Sequence, residues 1–373
     1  MPSFETPPTT PSPEAADHKK RHEAFLSKDQ RHINLYLGWV FKYIDEAKKK
    51  GVLEKTNDEI EAAKAEGDKD LAFLSQYGIR TFESAIDDWD AKIPKEGREQ
   101  FLREYKDFCD VVAEPELRVR LLSKMCSMDA NDPWEQRENF TRLMYELYGR
   151  EKVLSRDPET GEEKGFLKLE GQADLVEAWN IKGKWGFSKE EFEDIRKQIP
   201  ELRERLMKYD DEPLVAPVLT PYLPDKDGMT GVWRTFESLS RLVGAGQQFD
   251  QLNNDRQGIK GLRLSKGLTH MPGLALEILG LGDHEGENPE SVRAIEKNLP
   301  HASVLAAAAS SSEWVERNNA WIPGYEAQSQ DEELWRYMLG APFGHRYDDR
   351  QETRFSYKDG SAFAHWFVPV RRK

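Results

Sequence analysis

Cysteine is nearly missing from this chain. Only Cys109 and Cys126 occur among 373 residues. Both sit in apolar, helix-like sequence without C-x-x-C spacing, so neither a disulfide framework nor a thiolate zinc site is expected, and both read as buried thiols. Long apolar runs are absent too. No stretch approaches the ~18 residues that a membrane-spanning helix needs, and the first residues lack the apolar core of an export signal, so a cytoplasmic location without membrane association is expected. Positive charge is the scarcer sign: 54 Lys and Arg stand against 68 Asp and Glu, a formal net charge of -14. The pI near 5.2 works against broad nucleic-acid binding, which draws on Lys and Arg to neutralise phosphates.

Familiar catalytic and cofactor motifs fail residue by residue. No G-x-x-x-x-G-K-[ST] loop is present, and Gly244-Ala245-Gly246 has Phe249 where a dinucleotide fingerprint needs its third glycine, after sequence that reads as helix. No G-x-S-x-G elbow occurs, and Ser310 to Ser312 follow an alanine run of helical character. The pairs His22-Glu23 and His284-Glu285 are followed by Leu26 and Asn288 where zinc ligation on a helix needs a second His. Asp225 and Asp227 have the spacing of a calcium loop, but Met229 and Phe236 occupy positions that must supply oxygen. A turn leading into a helix suffices there. No catalytic residue and no cofactor is therefore expected.

What is present is enough for two cores. The length corresponds to about 150 residues for each of roughly two domains, and ten Trp, twelve Tyr and seventeen Phe supply large side chains to fill them. The expected fold class is mainly α, a multi-helix two-block architecture with two small β-hairpins. Residues 1–26 are expected to form a disordered tail rich in Pro, Thr, Ser and Glu. An α-helical domain over 27–211 follows, opened by a capping box at Ser27 and Gln30. It has a further box at Thr56 and Glu59, stops at Gly67 and Gly78, and a β-hairpin near 152–169 around Asp157-Pro158. Ser188 and Glu191 cap a later helix in which Pro200 should produce a kink or a break. The four prolines between Pro213 and Pro224 suggest a connector over 212–227. A glycine-richer helical domain over 228–373 should then carry helices near Trp233 to Val243 and Leu274 to Leu279. Another is expected at Ser329 and Glu332, and a last hairpin turns at Asp359-Gly360.

Three segments invite a functional reading. Asp255 to His270 places Arg256, Lys260, Arg263 and Lys266 among glycines, suiting an anion or an acidic partner. Trp321 and Tyr325 flank Pro323-Gly324 in a connector, where amphipathic rings can anchor an interface. Asp283, His284 and Glu285 form a short run of metal-ligand types ahead of a helix start, where the helix dipole alone also favours acidic residues. The resulting expectation is a non-enzymatic acidic adaptor or scaffold that binds a protein partner through its C-terminal block. The alternatives are a metal-dependent enzyme with its site around Asp283 to Glu285, and a nucleic-acid accessory protein using the basic loop 255–270.

Overall fold

A computed structural model of the chain describes residues 13–49, 95–126, 134–156, 163–242 and 263–372, apart from 213, 281–283, 285–286, 288, 298, 311–318, 323, 327–341, 348–351, 358–365 and 368–369. The chain is mainly α-helical with small β elements, as the periodicity predicts, and it divides into two compact units, Met1–Met125 and Cys126–Lys373. The signals at Thr56, Glu59, Gly67, Gly78, Gly244, Ser329 and Asp359-Gly360 lie outside the described residues.

The N-terminal unit contains α1 (Pro13–Ser27), α2 (Gln30–Lys49), α3 (Lys95–Ala113) and α4 (Pro115–Met125). Helix α1 occupies much of the segment expected to be a disordered tail. Its last turn supplies Phe25 and Leu26, both buried, and the Phe25 ring meets Tyr36 at 5.8 Å and Phe108 at 6.4 Å. Burial of that apolar end offsets the ordering entropy that composition alone cannot recover. Ser27 ends α1, donating to the Ala24 carbonyl, and it is Asp29 that caps α2 by accepting the His32 amide at 2.7 Å. Helix α2 buries Ile33, Leu37, Val40 and Phe41 along one face. Both cysteines are free and buried.

The C-terminal unit begins with α5 (Trp134–Tyr148) and the antiparallel pair β1 (Arg150–Arg156) and β2 (Glu163–Leu167), the first predicted hairpin. Helices α6 (Leu169–Gly183) and α7 (Lys189–Leu206) follow. Ser188 and Glu191 make the predicted capping box, each side chain bonded to the other's amide. Pro200 lies inside α7, yet the helix runs on, because Phe192, Ile195, Ile199, Leu202 and Leu206 bury one continuous face across it.

The centre of this unit is a three-stranded antiparallel sheet in the order β11-β5-β3, formed by β3 (Val215–Tyr222), β5 (Gly273–Gly280) and β11 (Val370–Arg372). Two expectations are corrected here. Residues 274–279, read as helix, form the middle strand, a short apolar run whose periodicity does not distinguish the two. The proline-rich segment is extended, as its prolines require, but every residue of β3 is buried, so it is a core strand.

Its prolines are accommodated because β3 is an edge strand. The amides of Val215 and Leu219 point away from β5: the first donates to Glu212 O and the second to the Gln172 side chain at 2.9 Å. Pro217 and Pro221 share that parity, so their missing N–H groups cost no ladder hydrogen bond. Beyond them, the Leu223 amide donates to Thr235 Oγ1 at 2.8 Å. Thr235 lies on α8 (Gly231–Leu242).

The remaining described elements are β4 (Arg263–Leu264), α9 (Pro289–Ile295), α10 (Ala302–Ser310), β6 (Asn319–Trp321), β7 (Tyr325–Glu326), β8 (Pro342–Tyr347), β9 (Glu352–Tyr357) and β10 (Trp366–Phe367). Strand β9 pairs with β8, β10 joins β6 and β11 joins β5.

Gln172 is 1% exposed, and its amide also donates to Leu167 O at 2.8 Å and Pro217 O at 3.0 Å. Gln172→Leu strands the Leu219 amide and two carbonyls in the core. Unpaired buried groups cost ~1–3 kcal/mol each, so a loss of about 3 kcal/mol or more is expected. Urea unfolding should show it as a lower midpoint with the slope preserved.

Candidate functional site

Register places Tyr222, Glu277 and Arg371 on the same face of the central sheet, since Val218 opposes Glu277 and Arg371 opposes Leu279. Tyr222 donates its hydroxyl proton to Glu277 Oε2 at 2.8 Å and accepts from Arg371 Nη2 at 2.7 Å. Arg371 Nε pairs with Glu277 Oε1 at 2.5 Å. Above them lies His301, just ahead of α10, with its ring 4.9 Å from Tyr222 and 5.5 Å from Tyr325. His270 closes the group, 5.7 Å from Tyr222 and 6.2 Å from His301.

The donors fix both tautomers. Arg371 only donates, and its Nη2 stands 3.3 Å from His301 Nδ1, so that nitrogen accepts and Nε2 carries the proton. His270 Nε2 stands 2.7 Å from the Leu223 carbonyl, so it donates and Nδ1 keeps its lone pair. His301 Nε2 and His270 Nδ1 are both buried with no hydrogen-bond partner among the described residues.

Electrostatics pushes this centre away from titration at neutral pH. Burial first, then Arg371 and His270, lowers the His301 pKa to about 3. Burial and the neighbouring Glu277 hold the Tyr222 phenol well above its ordinary range, against the pull of Arg371. Burial likewise raises Tyr325.

The His270 ring is held at the surface by close backbone packing. A Cβ on Gly231 would stand 2.1 Å from Leu223 O and 2.5 Å from His270 Nε2, so the start of α8 reaches the ring only because it is glycine. Gly324 similarly lets the next turn approach, its amide donating to Pro300 O at 2.9 Å while Ser265 donates to Gly324 O at 3.0 Å. Segment 265–273 is thereby held at Ser265 and His270, and it enters β5 at Gly273. Between Ser265 and His270 the side chains of Lys266 and Thr269 are exposed, and between His270 and β5 Met271 is 74% exposed.

No family model matches this chain, and no curated protein or solved structure does either.

Of the residues singled out from sequence, Lys266 lies on the pinned segment, and Arg263 sits on β4 opposite Glu326. Arg256 and Lys260 lie outside the described residues. Tyr325, proposed as an interface anchor, is 0% exposed and packs edge-on against Phe236 at 5.1 Å, so it is a core residue. Trp321 lies on β6, its backbone opposite Phe343. His284 pairs with Glu287 at 3.0 Å and Glu296 at 3.7 Å, while Asp283 and Glu285 are outside the described residues. Asp225 accepts the Gly231 amide at 2.6 Å, the role of a turn before a helix. Sequence reasoning missed His270, His301, Tyr222 and Arg371, which are far apart in the chain and carry no shared motif. The one local signal was a histidine at the end of the glycine-punctuated segment.

Two outcomes are expected. Gly231→Ala should break the His270 to Leu223 hydrogen bond and cost about 3 kcal/mol through overpacking, read by thermal unfolding. His301 has a folded pKa of about 3 against an ordinary 6.5. Between those values the unfolded chain takes up the proton and the folded chain does not. This contribution to stability is full above 6.5 and is lost as pH falls from there towards 3. Urea midpoints at about pH 7 and about pH 4 should separate wild type from His301→Gln, which does not titrate, by on the order of 3 kcal/mol.

Proposed function

We propose that the chain is a non-enzymatic binding protein whose C-terminal unit receives a protein partner on segment 265–273. The observation that carries this reading is the pinned loop. Ser265 is held by Gly324 and His270 by Leu223, and Gly273 starts β5 opposite Tyr222; between His270 and that strand stands Met271, the most exposed of the large apolar side chains named among the described residues. A loop already held in one conformation loses little entropy on association. Met229, 43% exposed, lies in the turn before α8, two residues before Gly231. Methionine adapts its shape to an apolar partner surface, and the exposed Lys266 on the same segment as Met271 favours a partner with acidic character. The buried centre supports recognition over proton transfer. General acids and bases work best with pKa values near the operating pH, whereas His301, Tyr222 and Tyr325 are driven away from it.

A photoreactive amino acid at position 271 tests the reading in nuclease-treated native extract. A discrete protein adduct that disappears with Lys266→Glu is expected. Absence of an adduct, or an adduct indifferent to Lys266→Glu and to Met229→Glu, would sink the proposal. An adduct lost only on nuclease treatment would favour the nucleic-acid reading of the basic loop.

A further inference from the structure

His18 and His22 stand four residues apart on α1, which places both rings on one helical face. Their ring centroids are 6.0 Å apart. Facing them from α3 is Asp110, whose Oδ2 lies 3.1 Å from His22 Nε2 and 3.8 Å from His18 Nδ1. One ligand atom from each residue falls within 4.8 Å of the other two. Tetrahedral zinc with bonds near 2.0–2.2 Å separates its donors by roughly 3.3–3.6 Å, so the three atoms need only small rotamer adjustments to enclose an ion. We propose that His18, His22 and Asp110 form a binding site for a divalent transition-metal ion of the zinc class, with a coordination position left open for water.

The charge balance around the site favours a cation. Asp107 and Asp110 are both nearly buried, at 8% and 9% exposure, and they share one guanidinium, that of Arg21. Arg21 lies 3.0 Å from Asp107 and 3.8 Å from Asp110, so its stronger partner is Asp107. Two nearly buried carboxylates thus stand on α3 next to the helix that carries both imidazoles. Two imidazole nitrogens with one carboxylate suit zinc, cobalt or nickel, whereas calcium and magnesium require sites dominated by oxygen. Arg21 Nη2 lies 3.8 Å from Asp110 Oδ2, the proposed ligand atom, and weakens such a site through its own charge. Bound metal would tie α1 to α3, the helix pair that Phe25 and Phe108 already join.

The expectations were limited to H-E-x-x-H spacing and passed over His18. The pattern His18-x-x-x-His22 is legible in the sequence, but its third ligand is not.

The test uses the full-length protein, freed of metal by chelation, with zinc and cobalt as probes. One equivalent of zinc should bind in competition with a chromophoric chelator, and cobalt should give visible absorption of a tetrahedral ion. His18→Ala is half exposed and should fold normally, and it should weaken both ions at least tenfold. His32→Ala, on α2 beside Glu104, should leave binding intact, and Arg21→Gln should tighten it. Zinc should raise the unfolding temperature of wild type but not of His18→Ala. The proposal is overturned if neither metal binds, or if His18→Ala and His22→Asn, both folded by circular dichroism, bind like wild type.

Discussion

The outward amides of β3 constrain everything built on the central sheet. An edge strand whose eight residues are all buried must find partners for each polar backbone group that faces away from β5. Five successive positions of one parity solve this in three ways. Val215 uses the local Glu212 carbonyl, Leu219 uses Gln172 from α6, Leu223 uses Thr235 from α8, and Pro217 and Pro221 have no proton to place. The prolines thus remove two donors where a donor would be stranded. Gln172 and Thr235 then fix two helices to the strand by hydrogen bonds, which sets direction and register in a way that apolar packing alone does not.

The buried polar centre follows from that arrangement. With β3 fixed, Tyr222 at its end meets Glu277 and Arg371 across the sheet, and the Leu223 carbonyl is presented to His270. Arg371 serves three groups at once: it pairs with Glu277, donates to Tyr222, and both sets the His301 tautomer and helps keep that imidazole neutral. Removing a single member leaves charges or donors unmet in low dielectric, so the network behaves as a unit.

Local signals were legible where one short segment contains the whole cause. The Ser188 and Glu191 capping box and the pairing of β1 with β2 depend on neighbours within a few residues. The errors arose where the cause is distant. Residues 274–279 are a strand because β3 and β11 flank them, and 215–222 is a core strand because Gln172 and Thr235 complete it. The segment before Ser27 is helical because Phe25 and Leu26 find Tyr36 and Phe108. The candidate centre was hidden for the same reason, since Tyr222, His270, His301 and Arg371 come from four separate segments.

Charge in this chain is arranged locally, and the net figure of -14 conceals how. Arg196 bridges Asp174 and Glu177, and Arg203 joins Glu151 and Glu170, so each arginine ties α7 to an earlier element through two carboxylates. Arg21 does the same between Asp107 and Asp110 in the N-terminal unit. These arginines are a third or so exposed, so each pair adds modestly to stability, and their larger effect is to take up the few positive charges in acidic surroundings. Lys266 differs in kind: it is exposed, on a loop held by backbone hydrogen bonds rather than by ion pairs. An exposed lysine on a segment that also presents an exposed methionine offers an acidic, partly apolar partner both attraction and contact area.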